Sequence, residues 1–249
     1  MKVLGSCVSA SLVYGCETWG TNKIKNAETA FRQGLKAALS IRDCTNNEIV
    51  YIESGEFPLE IRITKQQIKF WAAIEDIIET YPNHYISKLV KIGEDTEYVK
   101  YYKNLMNTYT DTKTCNDTMK NNYRNLVRDK FEKAAREDSD SKLGTYLMIN
   151  QDLVSPEYNQ KFEFQRVQVT RYRTGSHNLR IERDRRFPNS RREDRVCACN
   201  MGVQTVRHIC MVCPLLQDIR EKYEIDSVEK GVGNDDFLME MECILSIKN

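Results

Sequence analysis

Apolar positions recur at intervals of three and four along most of the chain, the period of helices buried on one face. Val3, Leu4, Cys7, Val8, Leu12 and Val13 predict a first helix ending near Gly15. Ile24, Ala27, Phe31, Leu35, Ala38 and Leu39 predict a second, with Lys23, Lys25, Arg32 and Lys36 off the apolar face and Gly34 as a local weak point. Thr45-Asn-Asn-Glu48 has the pattern of a capping box, so a short helix is expected to start there and to stop at Gly55. Pro58 then opens the longest helix of the front half, with Leu59, Ile63, Gln67, Phe70, Ile74 and Ile77 as its buried stripe and Pro82 stopping it soon after Tyr81. Trp71, beside Phe70, is expected to pack rather than to stack on a base.

From Asn83 to Asn150 the pattern stays helical but becomes polar. Short helices are expected around Ile86 to Val90 and Tyr98 to Met106, then a charged helix from about Asp117 to Glu137. Tyr98, Tyr101, Tyr102, Tyr109 and Tyr123 admit two readings: a stacking surface for single strands, or half-buried helical packing among solvated lysines, which is preferred. Glu137-Asp-Ser-Asp-Ser141 reads as a linker. Tyr158 to Tyr172 predicts a further helix, followed by a turn at Thr174-Gly-Ser-His-Asn-Leu179. Pro214 is placed to open a helix through Leu215, Leu216 and Ile219, and Phe237 to Leu245 makes the last.

The expected fold is therefore mainly α. Four segments are expected: helical 1–82, a helical connector at 83–150, a basic helical and turn region at 151–196, and a Cys/His-rich end at 197–249 with C-terminal helices. Composition agrees, since 11 Gly and 5 Pro in 249 residues are few for a sandwich or barrel, which needs a turn at short intervals. With 41% hydrophobic and 29% charged residues the chain is globular rather than disordered. No stretch approaches the roughly 18 apolar residues of a membrane span. The N-terminal run into Cys16 resembles a lipoprotein signal, but Gly5, Ser6, Ser9 and Ser11 interrupt it. A soluble intracellular protein, cytoplasmic or nuclear, in a reducing compartment, is expected.

Net charge is only +1, so any polyanion-binding surface must come from uneven distribution. Between Arg166 and Arg195 ten arginines face four carboxylates and no lysine occurs. Arg180, Arg183, Arg185, Arg186, Arg191, Arg192 and Arg195 are the candidate nucleic-acid contacts, because guanidinium forks suit phosphate oxygens and stack on unpaired bases. The other reading of such a run is a solvated face.

Directly after it, Cys197, Cys199, His208 and Cys213 form a C-x-C-x8-H-x4-C array. Thiolate and imidazole are soft or borderline donors, and four of them suit a closed zinc site better than magnesium or calcium, which take oxygen ligands. Cys210 is a fifth candidate that competes with His208 for the third position, and the bland reading is a set of reduced cysteines with an ordinary His. Nine cysteines, four of them within 197–213, fit an intracellular metal site better than a disulfide framework.

Val13-Tyr-Gly-Cys-Glu-Thr-Trp19, Phe31-Arg-Gln-Gly-Leu-Lys-Ala-Ala-Leu-Ser-Ile41, Thr45-Asn-Asn-Glu48, Glu53-Ser-Gly55, Arg173-Thr-Gly175 with Leu179, and the array closing on Cys213-Pro214 follow one another in an order that resembles the end of a non-LTR (LINE-type) retrotransposon reverse transcriptase. The resemblance spans nearly the whole chain. No single motif is specific; their order and spacing together are. It implies a helical thumb that holds primer–template duplex by its backbone, followed by a C-terminal zinc knuckle that helps bind RNA or target DNA. It carries Cys197, Cys199, His208 and Cys213 over as zinc ligands. Val206-Arg207 stand where relatives often have acidic residues.

The aspartates that hold two magnesium ions in such a polymerase have no counterpart here. In-line phosphoryl transfer needs both metals, and the one Asp-Asp pair, Asp235-Asp236, reads as a helix start. Histidines at 84, 177 and 208 offer no Ser/His/Asp or Cys/His catalytic set. The chain alone is thus expected to be no enzyme and reads as a 5′-truncated frame that binds RNA, single-stranded or duplex nucleic acid, with the missing polymerase palm as a partner in trans. The alternatives are a helical protein-interaction module or a remnant without a selected role.

Overall fold

The structure, a computed structural model, describes residues 8–19, 24–109, 111–156 and 163–248; the side chains of 186, 247 and 248 lie outside that description. It is mainly α, and its one isolated bridge among the described residues joins Val196 to Val203. Of the first predicted helix, positions 3, 4 and 7 lie outside the described residues, 8–12 is helical, and Gly15 follows at φ 66°. The chain forms two units. One holds Met1–Gly34 and Phe57–Leu126, the other Leu35–Glu56 and Val127–Asn249.

In the first unit the spine is helix α3 (Leu59–Thr80), after α1 (Ile24–Leu39) and α2 (Asn47–Ser54) in chain order. Pro58 stands before its first turn and offers no side-chain cap; the Leu59 N–H instead donates to Glu28 Oε2 at 2.8 Å. That partner satisfies a backbone donor that every helix start leaves over. Burial raises the Glu28 pKa, partly opposed by the Leu59 N–H. Leu59, Ile63 and Gln67 of the expected stripe are buried, and Trp71 packs as expected, but Phe70 is 39% exposed. Trp71 stacks on Tyr102 at 4.9 Å, between α3 and helix α5 (Glu97–Thr108), which follows α4 (Tyr85–Ile92). Tyr98 and Tyr101 pack edge-on to Tyr102, the Tyr98 and Tyr102 hydroxyls donate to Glu17 O, and the Tyr101 hydroxyl donates to Gln67 Oε1. Tyr123 packs edge-on to Phe57. These tyrosines are packing groups, the preferred reading of the sequence.

The second unit carries the candidate site. Its α2 is capped by Asn46, whose Oδ1 accepts from the N–H groups of Glu48 and Ile49, and it ends at Gly55 in the left-handed region, φ 71°. The cap is thus one residue later than the Thr45 of a capping box, because Thr45 Oγ1 is engaged elsewhere, sharing a 2.8 Å hydrogen bond with Ser176 Oγ. Helix α6 (Thr112–Glu137) begins five residues earlier than expected. Residues 138–141, which read as a linker, form a tight turn within this unit: Ser141 caps helix α7 (Lys142–Ile149) and Asp138 pairs with Arg192. Of the helix expected over Tyr158–Tyr172, positions 158–162 lie outside the described residues, and α8 runs over Glu163–Arg173. After it come α9 (Arg180–Arg183), α10 (Gln217–Lys222), α11 (Val228–Gly233) and α12 (Asp235–Lys248). Asn234 Oδ1 caps α12 at Phe237 N, leaving Asp235 and Asp236 in its first turn, where carboxylates suit the helix dipole.

One apolar core joins α8, α10, α11 and α12, with Tyr172, Ile209, Leu216, Val232, Phe237 and Met241 all buried. The Tyr172 hydroxyl and the Gln168 amide both donate to the Glu242 carboxylate, tying α8 to α12.

Candidate metal centre

The cluster is built on a short loop and an unusual turn. Val196 bridges Val203, Cys197 N donates to Gly202 O at 2.8 Å, and Asn200 takes the left-handed conformation at φ 58°, which its short polar side chain tolerates. This loop presents Cys197 and Cys199. The other two residues lie at the ends of a π-helical turn, His208–Val212, closed by Cys213 N donating to His208 O at 2.8 Å. Residues five apart diverge on an α-helix with its 3.6 residues per turn; the wider i→i+5 turn brings them back to one side. Thr205 starts that turn by accepting from His208 N at 3.0 Å.

The donor atoms of Cys197, Cys199, His208 and Cys213 all lie within 4.8 Å of one another, so these four could hold a metal ion. Cys197 Sγ is 3.7 Å from Cys213 Sγ, and Cys199 Sγ is 3.2 Å from His208 Nε2. Cys210 is not among them. It is fully buried in the core, where a Cβ on Gly231 would come within 2.8 Å of its Sγ, and burial pushes its thiol up to about 12. Of the two candidates for the third position, His208 is the one that the structure brings to the cluster.

Burial, then the neighbouring Cys197, pushes the Cys213 thiol up to about 12, and burial followed by Arg220 lowers the His208 pKa. A bound divalent cation opposes the effect on the thiol, since coordination deprotonates it. Residues beyond the array support it. Arg220 donates to Cys213 O at 2.6 Å and to Ile209 O at 3.3 Å, tying the start of the turn to the residue that ends it. Gln204 sits with its amide 3.9 Å from Cys197 Sγ while its Oε1 accepts from Arg180 N at 2.8 Å. Thr205 was findable from sequence, as a capping type of residue three before His208; nothing local to Arg220 or Gln204 marks them.

The arginines separate into two groups. Arg180 donates to Val196 O, and Arg195 donates to Ile181 O, Ser190 O and Ser190 Oγ, so both fasten the arginine turn to the loop before the cluster. Arg192 pairs with Asp138, whose carboxyl is held below its usual range by that guanidinium. Arg183 meets only the adjacent Asp184 among its described contacts, and Arg185 reaches Glu182 at 3.9 Å; with Arg191 they are exposed. The Arg186 side chain lies outside the described residues. The other histidines are structural: His84 Nδ1 caps α4, and His177 stacks on Tyr172 at 5.2 Å while its Nδ1 accepts from Leu179 N.

No helix among the described residues is long and apolar enough to cross a membrane. No protein-family model, curated protein or solved structure matches the chain.

Proposed function

We propose that the four-residue cluster is a structural zinc site, and that the chain binds nucleic acid, RNA or single strands, through the arginines beside it without itself catalysing nucleotide addition. The convergence of three thiols and one imidazole carries this reading. Two zinc–sulfur bonds of about 2.3 Å at a tetrahedral angle place their sulfurs about 3.7–3.8 Å apart; Cys197 and Cys213 are 3.7 Å apart. Four protein ligands leave no open position for a substrate, the mark of a structural rather than a catalytic zinc. Three thiolates around a divalent ion carry a net negative charge, which the nearby Arg220 guanidinium offsets. Thiolate ligands also call for a reducing, intracellular compartment.

The resemblance to the thumb and knuckle of a non-LTR reverse transcriptase gives the cluster its context. Its markers Glu53 and Arg173 form one ion pair, which supports reading them as parts of a single unit. A polymerase palm supplied in trans is the protein partner that this reading names. Exposed Tyr85, Leu89 and Ile92 along α4, with exposed Tyr81 at the end of α3, favour the second reading, a helical protein-interaction module.

Titration of the zinc-loaded chain against a fluorescent single-stranded oligonucleotide at several salt concentrations tests the proposal. The logarithm of affinity falls with the logarithm of salt by about 0.7 per phosphate contact. Replacing Arg183, Arg185 and Arg191 together by Ala makes the slope shallower and leaves the melting temperature unchanged. An affinity indifferent to salt and to these substitutions overturns the nucleic-acid reading in favour of the protein-interaction one.

A further inference from the structure

Three thiols share the metal cluster, and they differ in their access to solvent. Cys197 is 1% exposed and Cys213 is fully buried, whereas Cys199 is only half-buried. The contact between Cys197 and Cys213 lies inside the fold. The hydrogen bond that Met201 N donates to Cys199 Sγ at 3.4 Å lies at the surface, beside a Met201 that is 71% exposed. A solute as small as a hydroperoxide thus meets one sulfur of the cluster first. Coordination keeps that sulfur a thiolate, and the thiolate is the form that attacks an oxidant.

An oxidised cysteine is captured as a disulfide when a second thiol stands within reach. Two do so here, since the donor atoms of the cluster all lie within 4.8 Å of one another. Cys197 shares a tight turn with Cys199, closed by Asn200 N donating to Cys197 O at 2.9 Å. A disulfide has a preferred dihedral angle and a narrow range of Cα separations, so a bond across the single residue Ala198 would have to distort that turn. Cys213 comes from the other segment, at the end of the π turn. A bond to it closes across the cluster and leaves the turn of Cys197 as it is.

Resting on the zinc reading above, we infer that Cys199 is a site of oxidation by a hydroperoxide and that Cys213 resolves it as a disulfide, opening the metal site. The Cys199 thiolate attacks one peroxide oxygen; the O–O bond breaks, a sulfenic acid forms, and the departing hydroxide takes a proton from solvent to become water. The Cys213 thiolate then attacks the sulfenic sulfur. The S–O bond breaks as the S–S bond forms, and the second hydroxide also leaves as water. The two sulfurs together lose two electrons and the peroxide gains them. Only Cys197 and His208 then remain as donors, too few for a closed site of four. The new bond ties the loop of Cys199 to the turn of Cys213, the link that coordination makes in the reduced chain, and a thiol reductant reverses it.

The test uses the full zinc-loaded chain and hydrogen peroxide, with a chromogenic chelator in solution to report free zinc. One zinc is released per chain, and peptide mapping finds Cys199 joined to Cys213, two hydrogens lighter than the reduced pair. Dimedone, which captures sulfenic acids, labels Cys199 when added with the peroxide. The oxidised form melts above the chelated, reduced chain, because a cross-link constrains the unfolded state. Replacing the exposed Cys44 and Cys243 together by Ser leaves the release unchanged. A dimedone label on Cys197 or Cys213, a Cys197–Cys213 bond in place of the expected one, or release that depends on Cys44 or Cys243 overturns the assignment. Retention of zinc under peroxide overturns it too and leaves the zinc reading standing, whereas a chain that holds no zinc before the oxidant is added overturns both. Each of these readouts keeps the native cysteines of the cluster, so no variant of the metal site has to fold for the test to decide.

Discussion

Arg173 Nε donates to Glu53 Oε1 at 2.9 Å, joining residues 120 positions apart, and the Glu53 side chain is fully buried. The Tyr146 hydroxyl donates to the same oxygen at 2.7 Å. With Thr45 bonded to Ser176, Arg42 to Asn178 and Arg171 to Ser40 O, this pair binds the segment 40–53 to the end of α8 and the turn that follows.

Breaking a buried pair by removing one partner leaves the other charge uncompensated. Glu53→Ala is therefore expected to lower unfolding stability by about 3–5 kcal/mol, measured by urea denaturation. Replacing Glu53 and Arg173 together by Met is expected to cost less than the sum of the two single changes. A strictly additive result would show that the pair is not coupled.

Metal analysis under reducing conditions is expected to find one zinc per chain. Cys197→Ser and His208→Ala abolish retention, while Cys210→Ala retains the metal because Cys210 belongs to the core and not to the cluster. Metal loss by Cys210→Ala together with retention by His208→Ala would return the third position to Cys210. Chelation is expected to lower the melting temperature, since ligand binding to the folded state alone adds to stability.

Gly231 is where α11 meets the π turn. A Cβ there would lie 2.8 Å from Cys210 Sγ and 3.2 Å from Ile225 Cγ2. In an exposed helix Gly→Ala stabilises, but here overpacking is expected to destabilise by about 1–3 kcal/mol. Cys210→Ala removes the nearest clash, so the double variant should recover part of the loss. Thermal melts of the two singles and the double check this.

Burial, reinforced by the charges of Lys142 and Arg42, pushes the His177 pKa down from 6.5 to about 3. Folded His177 is neutral, so below pH 6.5 the unfolded chain binds a proton that the folded chain refuses. Its contribution is complete above pH 6.5 and is lost as pH falls toward 3, by up to about 1.4 kcal/mol per unit. His177→Asn keeps a hydrogen-bond acceptor near Leu179 N without titrating. Between pH 7 and 5 its unfolding free energy is expected to fall less steeply than that of the native chain, and parallel curves would refute the assignment.

The sequence by itself determined the elements whose boundaries are chemical. Pro58 and Pro82 bracket α3, Gly55 ends α2, and the Cys/His types in 197–213 name the donors, because each of these properties resides in a residue's own covalent structure. The class of the fold followed from the three-and-four spacing of apolar residues for the same reason.

What distant segments bring to one place was decided only by the tertiary structure. Phe70, placed in the buried stripe by its spacing, stays partly exposed, while the partner that Trp71 packs on, Tyr102, comes from a helix that local pattern does not connect to it. Thr45 yields the cap to Asn46 because Ser176 engages it. His208 and Cys210 lie on one short turn and are equally soft enough to bind metal, and it is the π geometry, with Cys210 packed against Gly231, that brings His208 to Cys213. Charge counting found the arginine run, yet Arg195 turns to Ile181 O while Arg185 remains exposed. A side chain's direction depends on the backbone and partners around it, and those come from segments that local pattern does not connect.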